Sequence, residues 1–210
     1  MREELSRPLP GREYQFKLAP RHRLLTDNSD KPAVNAAVAL IIIPAGNTGW
    51  ELVLIKRTEY NGYHSGQVSL PGGKHDPDDN SLIQTALRET EEEIGIKLLP
   101  DQCLGHLTIL DIKVSGFRVH PFVFYLDQLP VFRLEEQEVN YLIRFDIFSL
   151  LNERLIKTIT FTDADYSFDA PYFAISNEIV WGATSMILSE FAEVLRRVGK
   201  KNPGLKIPGC

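Results

Sequence analysis

The chain has 210 residues, 43% hydrophobic and 24% charged, which suits one globular domain with short extensions and a core that needs no disulfide or structural metal. Its 23 basic and 28 acidic side chains leave a net charge of −5, which argues against a general nucleic-acid binder but permits a phosphate substrate bridged by a divalent cation. The longest strictly apolar run, Ala36 to Ile43, is eight residues. A membrane helix needs about 20, so none is expected. The N-terminus MREELSRPLPGREY lacks the apolar core of a signal peptide, and Cys103 and Cys210 form no metal-ligand pattern. A reduced, cytoplasmic setting is the expectation.

Residues 1–32 are rich in Pro, Arg and polar residues and read as an extended arm or loosely packed lead-in. The domain proper is expected over 33–198, with 199–210 a tail. AVNAAVALIII and ELVLIKR, separated by a GNTGW turn, are short β-rich runs expected to pair. EYNGYHSGQVSLPGGKHDPDDN, with four glycines and two prolines, reads as loop. SLIQTALRETEEEIGI is the best helix: Asp79, Asn80 or Ser81 can cap it, Gly95 ends it, and Ile83, Ala86, Leu87, Thr90 and Ile94 make its apolar stripe. LGHLTILDI and VHPFVFYL look like strands, EVNYLIRFDI is ambiguous, and ITFTDADYSFDAPYFAI has room for a hairpin. NEIVWGATSMILSEFAEVLRRV reads as a second amphipathic helix. The order of elements predicts a mixed α/β (α+β) sandwich.

On the first helix Glu89, Glu92 and Glu93 stand at i, i+3 and i+4 and share one face. Taken alone, such a cluster is an ordinary solvated surface. The preceding SLPGGKHDPDD changes that: Gly72 and Gly73 allow a tight turn and the close approach of a ligand, and a peptide carbonyl there adds an oxygen donor. Carboxylates with such a loop suit a hard divalent cation, which takes oxygen ligands and often substrate phosphates.

These residues resemble the Nudix box, G-x5-E-x7-R-E-U-x-E-E-x-G-U, where U is apolar. RETEEEIGI, Arg88 to Ile96, matches its second half except for Thr90 at a U position. The first half departs: Gly73 lies one residue too far from Arg88, and Asp79–Asn80 stand near the mid-box glutamate. The coenzyme A pyrophosphatase branch has this longer loop and an upstream signature, roughly L-L-T-x-R-S/A-x3-R-x3-G-x3-F-P-G-G. VLIKRTEYNGYHSGQVSLPGG is similar to it at Val53-Leu54, Arg57, Gly66 and Pro71-Gly72-Gly73, with Thr58 and Leu70 as mild changes. Gly62 stands where that signature has an arginine. SGFRVHPFVFYL and VWGATSMIL also look like this branch, and the resemblance covers roughly 33–195.

The resemblance implies a Nudix-type α/β/α sandwich with a mixed sheet and a loop-helix-loop motif. It also implies attack of metal-activated water on a diphosphate, with Mg²⁺ or Mn²⁺ as cofactor. Carried over by position, Glu89 and Glu93 are metal ligands with the Gly73 region, Glu92 is a third ligand or positions the water, and Arg88 orients a helix carboxylate. A further glutamate is expected from RLEEQEVNYL; among Glu135, Glu136 and Glu138, Glu138 is the choice. Arg57, Lys74 and Arg118 are candidates for the 3′-phosphate of coenzyme A, and Tyr63 or Phe117 for an adenine platform. His64 and His75 are expected to make structural hydrogen bonds.

The implied reaction cuts coenzyme A or acyl-coenzyme A to 3′,5′-ADP and a 4′-phosphopantetheine species. Because of Gly62, ADP-ribose or a dinucleotide is the alternative substrate. A non-catalytic Nudix-fold binding module is the alternative of another class; such modules typically lose metal-binding carboxylates, and here all three remain. The expected partner is a small nucleoside diphosphate derivative, not nucleic acid or membrane, and a homodimer is compatible with the sequence.

Overall fold

The computed structural model describes residues 1–20, 33–46, 49–59, 66–113, 115–162 and 167–201. In chain order these form α1 (Arg2–Leu5), α2 (Arg12–Phe16), β1 (Val34–Ala45), β2 (Gly49–Arg57), β3 (Val68–Ser69), β4 (Gly72–Lys74), α3 (Leu82–Ile94) and β5 (Cys103–His106). Then follow β6 (Leu110–Ile112), β7 (Phe117–Tyr125), β8 (Val139–Asp146), β9 (Ile156–Thr162), β10 (Ser167–Ile175), β11 (Glu178–Trp181) and α4 (Gly182–Lys201).

A mixed eight-stranded sheet forms the centre. β1 runs parallel to β7 from Val34↔Phe117 to Ile42↔Tyr125, and antiparallel to β2 and β4 on its other edge. A strand flanked on both edges and covered on both faces should read as a continuous apolar run, which accounts for AAVALIII. Its alternate residues split between two cores. Ala37, Ala39, Ile41 and Ile43 pack with Val53, Ile55, Phe124 and, on α3, Ala86 and Ile94. Ala36, Leu40 and Ile42 pack with Leu52, Leu54 and, on α4, Ile187, Phe191 and Leu195. The molecule is therefore the expected α/β/α sandwich, with α3 and α4 on opposite faces of the sheet. Among the described residues no helix is long and apolar enough to cross a membrane.

Three segments differ from the sequence reading. Residues 1–20 are not a loose arm: Leu5, Leu18 and Ala19 are buried, and α2 lies on α4. Glu190, with no exposed surface, accepts hydrogen bonds from the Gly11 amide at 3.0 Å, Gln15 Nε2 at 2.8 Å and Thr108 Oγ1 at 2.7 Å. The presumed loop contains β3 and β4, because the Gly72–Lys74 backbone completes its hydrogen bonds on Ala36–Val38. The second long helix begins only at Gly182; Glu178–Trp181 instead form a strand joined to β10 through Ser176 and Asn177, both at positive φ. Such a two-residue turn matches the twist of a hairpin, and the half-buried E-I-V-W pattern suits a strand. The expected hairpin is β9–β10, completing a three-stranded sheet with β11, and the ambiguous EVNYLIRFDI is β8, paired with β2.

Candidate active site

α3 sets the geometry. Its seam of Ala86, Thr90 and Ile94 is buried, and the Thr90 hydroxyl donates to the Ala86 carbonyl at 2.7 Å, which lets a threonine sit in an apolar seam. Gly95, at φ +70°, closes the helix with its amide on the Glu91 carbonyl at 3.0 Å. With that seam against the sheet, Glu89 and Glu93 project toward β4 and the end of β2.

Glu93 is 1% exposed. One carboxylate oxygen accepts from the Gly72 amide at 2.8 Å and the other from Arg57 Nη1 at 3.1 Å. Burial pushes its carboxyl up to about 7 despite both donors, and Glu89 and Glu138 add repulsion. Burial likewise raises Glu89, with Glu92 and Glu138 adding to it and Arg88 opposing it. Glu138 is therefore close enough to both helix carboxylates to repel them. Its placement comes from the residue after β2: the Thr58 amide donates to the Glu138 carbonyl at 3.0 Å, and Thr58 Oγ1 to the Gln137 carbonyl at 2.7 Å. Glu92, Glu135, Gln137 and Glu138 line the cleft beside the helix.

The two glycines have separate reasons. A Cβ on Gly72, which has φ +142°, would sit 2.6 Å from the Val38 Cα and closer still to the Ala37 carbonyl oxygen, both of them backbone. A Cβ on Gly73 would instead meet the Glu89 carboxylate, with its Cδ at 2.5 Å. Backbone cannot yield, whereas a glutamate end can swing. Gly72→Ala should therefore cost about 3 kcal/mol of stability, combining overpacking with strain at positive φ. Gly73→Ala should stay within about 1 kcal/mol of wild type yet lose most turnover, because Glu89 is pushed aside. Urea unfolding and a hydrolysis assay on both variants check this contrast.

Arg88 is locked in place. Its Nε and Nη2 each lie 3.1 Å from Asp79, its Nη1 lies 2.8 Å from both Glu89 and Glu92, and Nη2 donates to the Lys74 carbonyl at 3.2 Å. Asp79 is 9% exposed and also accepts from Thr85 Oγ1 at 2.8 Å and the Asp76 amide at 3.1 Å. The hydrogen bonds from Arg88 hold its carboxyl down at about 2. Asp79 thus occupies, one residue displaced, the neighbourhood of the mid-box glutamate. Nothing local in DPDD marks it over Asp76 or Asp78; only the register of the loop on α3 does.

Arg57, Gly73, Arg88, Glu89, Glu92, Glu93 and Glu138 are thus brought together. Lys74 is not: it pairs with Ala36, whose side chain packs in the α4-side core, so the Lys74 side chain leaves from the opposite face and only its carbonyl reaches the site. Arg118 is held by Asp111 at 2.7 Å on β6, and Phe117 packs against the α4-side core. His75 Nδ1 lies 2.9 Å from Thr85 Oγ1, a structural contact. Gly62, Tyr63, His64 and Cys210 lie outside the described residues.

Among the described residues, no three carboxylate, imidazole or thiolate groups already surround one point as a closed metal cage. The donor chemistry nonetheless fits a hard divalent cation: Glu89, Glu93 and Glu138 repel one another in a partly desolvated site, all offer oxygens, and the nearby arginines hold side-chain conformations that a cation would compete for.

The comparisons with known proteins agree with this geometry. The family model described as NUDIX domain matches residues 34–145. A Yersinia pestis (strain Pestoides F) protein named Uncharacterized Nudix hydrolase NudL is 31% identical over 180 residues, covering 86% of this chain and 90% of its own length. The fold resembles a MutT protein from Methanosarcina mazei Go1, with TM-score 0.51 and 22% identity over 83% of this chain and 99% of that one. It also resembles a MutT/nudix family protein from Enterococcus faecalis, with TM-score 0.56 and 15% identity over 88% and 73%. The carboxylate helix, the glycine strand that meets it and the match over 34–145 together place the chain in the NUDIX domain family, as a Nudix hydrolase of nucleoside diphosphate derivatives in a family that generally uses divalent cations.

Proposed function

We propose that the chain hydrolyses the diphosphate of coenzyme A or acyl-coenzyme A, giving 3′,5′-ADP and a 4′-phosphopantetheine species, with Mg²⁺ or Mn²⁺ bound at α3. The observation that carries this reading is the contact between the two motifs. The segment resembling the coenzyme A branch runs from Val53 to Gly73, and its Arg57 and Gly72 donors and the Gly73 close approach meet Glu93 and Glu89 of the Nudix helix. Glu89 and Glu93, with Glu92 at the cleft edge and the carbonyl oxygen of Gly73, would hold the cation. Bound there, it lowers the pKa of water and neutralises charge on phosphoryl oxygens.

The chain's own residues supply the rest. Arg88, fixed on Asp79, would orient Glu89 and Glu92 through its Nη1, 2.8 Å from each. Glu138, which lines the cleft, would take a proton from the attacking water. Glu138→Gln should lower kcat by about 10²-fold to 10³-fold with little change in cation half-saturation, measured by varying the metal at fixed substrate. A parallel rise in the metal requirement would make Glu138 a ligand instead.

Gly62 in place of the branch arginine favours a second substrate, ADP-ribose or a dinucleotide, with the same chemistry. Mass spectrometry after incubation with coenzyme A and either metal in ¹⁸O-water tests the first reading. Labelled 3′,5′-ADP or phosphopantetheine supports it and shows which phosphorus water attacked. Intact coenzyme A beside cleaved ADP-ribose rejects it in favour of the second.

A further inference from the structure

The two site arginines are held very differently. Arg88 meets Asp79 with two nitrogens, Glu89 and Glu92 with a third, and the Lys74 carbonyl besides. Among the described residues Arg57 makes one ion pair, Nη1 to Glu93 at 3.1 Å, longer than a strong charge-assisted bond, and its buried Nε has no partner there. A guanidinium fork seated on a carboxylate normally uses two nitrogens, so Arg57 sits in a contact that does not satisfy it. A second buried polar atom without a partner among the described residues lies on the same side: the Ser69 hydroxyl on β3. Ser69 pairs in register with Ile55, whose side chain packs toward α3, as Arg57 does two residues on.

Each Glu93 oxygen accepts one hydrogen bond, and the two donors differ in kind. The Gly72 amide is fixed by the pairing of β4 with β1, whereas the Arg57 guanidinium is at the end of a flexible side chain. A cation at the Arg57-facing oxygen of Glu93 would meet the guanidinium's positive charge, so it binds there more tightly once Arg57 moves off. The guanidinium cannot become neutral, and moving it away from Glu93 makes it available to a new anion with a planar acceptor edge.

We propose that Arg57 is a built-in counter-ion of Glu93, displaced by the incoming divalent cation and then passed to the substrate's diphosphate, so that cation binding assembles the phosphate contact. The unpartnered Nε and the Ser69 hydroxyl are the donors that a diphosphate oxygen would satisfy. This rests on the cation-dependent reading given under Proposed function, and it replaces a 3′-phosphate role for Arg57 with a role at the scissile diphosphate.

The test uses the full chain at pH 8.5 without nucleotide. Mn²⁺ affinity is read by electron paramagnetic resonance for wild type, R57Q and R57K, with near-ultraviolet circular dichroism as the fold control. Loss of the competing cation should tighten Mn²⁺ binding in R57Q on the order of tenfold, while R57K, which keeps the charge, stays within about threefold of wild type. Calorimetry with methylenediphosphonate, a diphosphate that cannot be cleaved, on the Mn²⁺-loaded proteins should then show binding about tenfold weaker in both variants, since neither retains the fork. Mn²⁺ binding no tighter in R57Q than in wild type overturns the counter-ion role, and unchanged diphosphonate affinity overturns the transfer. Should R57Q not fold, R57K with wild-type diphosphonate affinity overturns it equally. Wild type that binds Mn²⁺ and cleaves coenzyme A or ADP-ribose under any of these results leaves cation-dependent diphosphate hydrolysis standing; wild type that binds no Mn²⁺ removes both.

Discussion

Glu93→Gln is expected to lower kcat by about three orders of magnitude and still give a folded protein. The amide keeps the shape of the side chain and an oxygen to accept the Gly72 amide, now at 2.8 Å, so packing is retained. What is lost is the negative charge at the most enclosed point of the site, where a cation gains most from an anionic ligand and where the charge developing on a diphosphate must be balanced. Hydrolysis measured at saturating Mg²⁺ and Mn²⁺ checks the prediction. Activity within tenfold of wild type would remove Glu93 from the ligand set.

The same variant separates catalysis from stability through pH. The Glu93 carboxyl lies at about 7 in the folded protein, raised by burial above its ordinary 4.5. Below the lower value it is protonated in both states, and its contribution to stability is fully present. Between the two, the unfolded chain releases the proton while the folded chain retains it, so stability drains away and is lost once pH passes about 7. The loss is about 3 kcal/mol across this window. Burial raises Glu89 in the same direction. Metal-free wild type should therefore lose stability to urea from pH 5 to pH 8 more steeply than Glu93→Gln, and the variant should be the more stable at pH 8. Mg²⁺ favours the ionised carboxylate, so it should raise the wild-type Tm more at pH 8 than at pH 5. A metal-induced rise of equal size at both pH values would contradict this linkage.

How far the sequence reaches depends on how local the determining physics is. α3 was readable because its stripe, its glutamate spacing and Gly95 all lie within 15 residues of chain, and β1 because burial on both faces forces an unbroken apolar run. β11 was not, since Glu178–Trp181 carries a pattern that a helix could also continue, and only the positive φ at Ser176, Asn177 and Gly182 decides against it. Residues 1–20 owe their order to α4: Glu190 reaches back to Gly11 over 179 positions. No local pattern encodes that. In the site, the carboxylates of α3 could be grouped from spacing and Glu138 only from the resemblance, but Arg57 meets Glu93 across 36 positions, and Lys74 is turned away by a one-residue parity in β4. Partners fixed by register are invisible until the strands are paired.

Asp79 is such a partner, and its removal should have the second large effect. Asp79→Ala takes away a nearly buried carboxylate that accepts from Arg88, Thr85 and the Asp76 amide, leaving a guanidinium whose other carboxylate partners are Glu89 and Glu92. Because Arg88 remains about one-third exposed and partly hydrated, the cost should be about 2–3 kcal/mol, below that of breaking a fully enclosed pair. The freed guanidinium should also settle onto Glu89 and Glu92 and compete with the cation, raising the metal concentration for half-maximal turnover about tenfold. Asp79→Asn isolates the charge, since it can still accept from Thr85 and Asp76. The Asp79 carboxyl lies at about 2 in the folded protein, below its ordinary 3.8, so its stabilisation is present above 3.8 and disappears as pH falls through 2. The stability gap between wild type and Asp79→Asn should therefore be widest near neutrality and close toward pH 2. If the gap is the same at pH 3 and pH 7, hydrogen-bond shape rather than charge holds Arg88; if neither variant changes the metal requirement, Arg88 does not govern the carboxylates of α3.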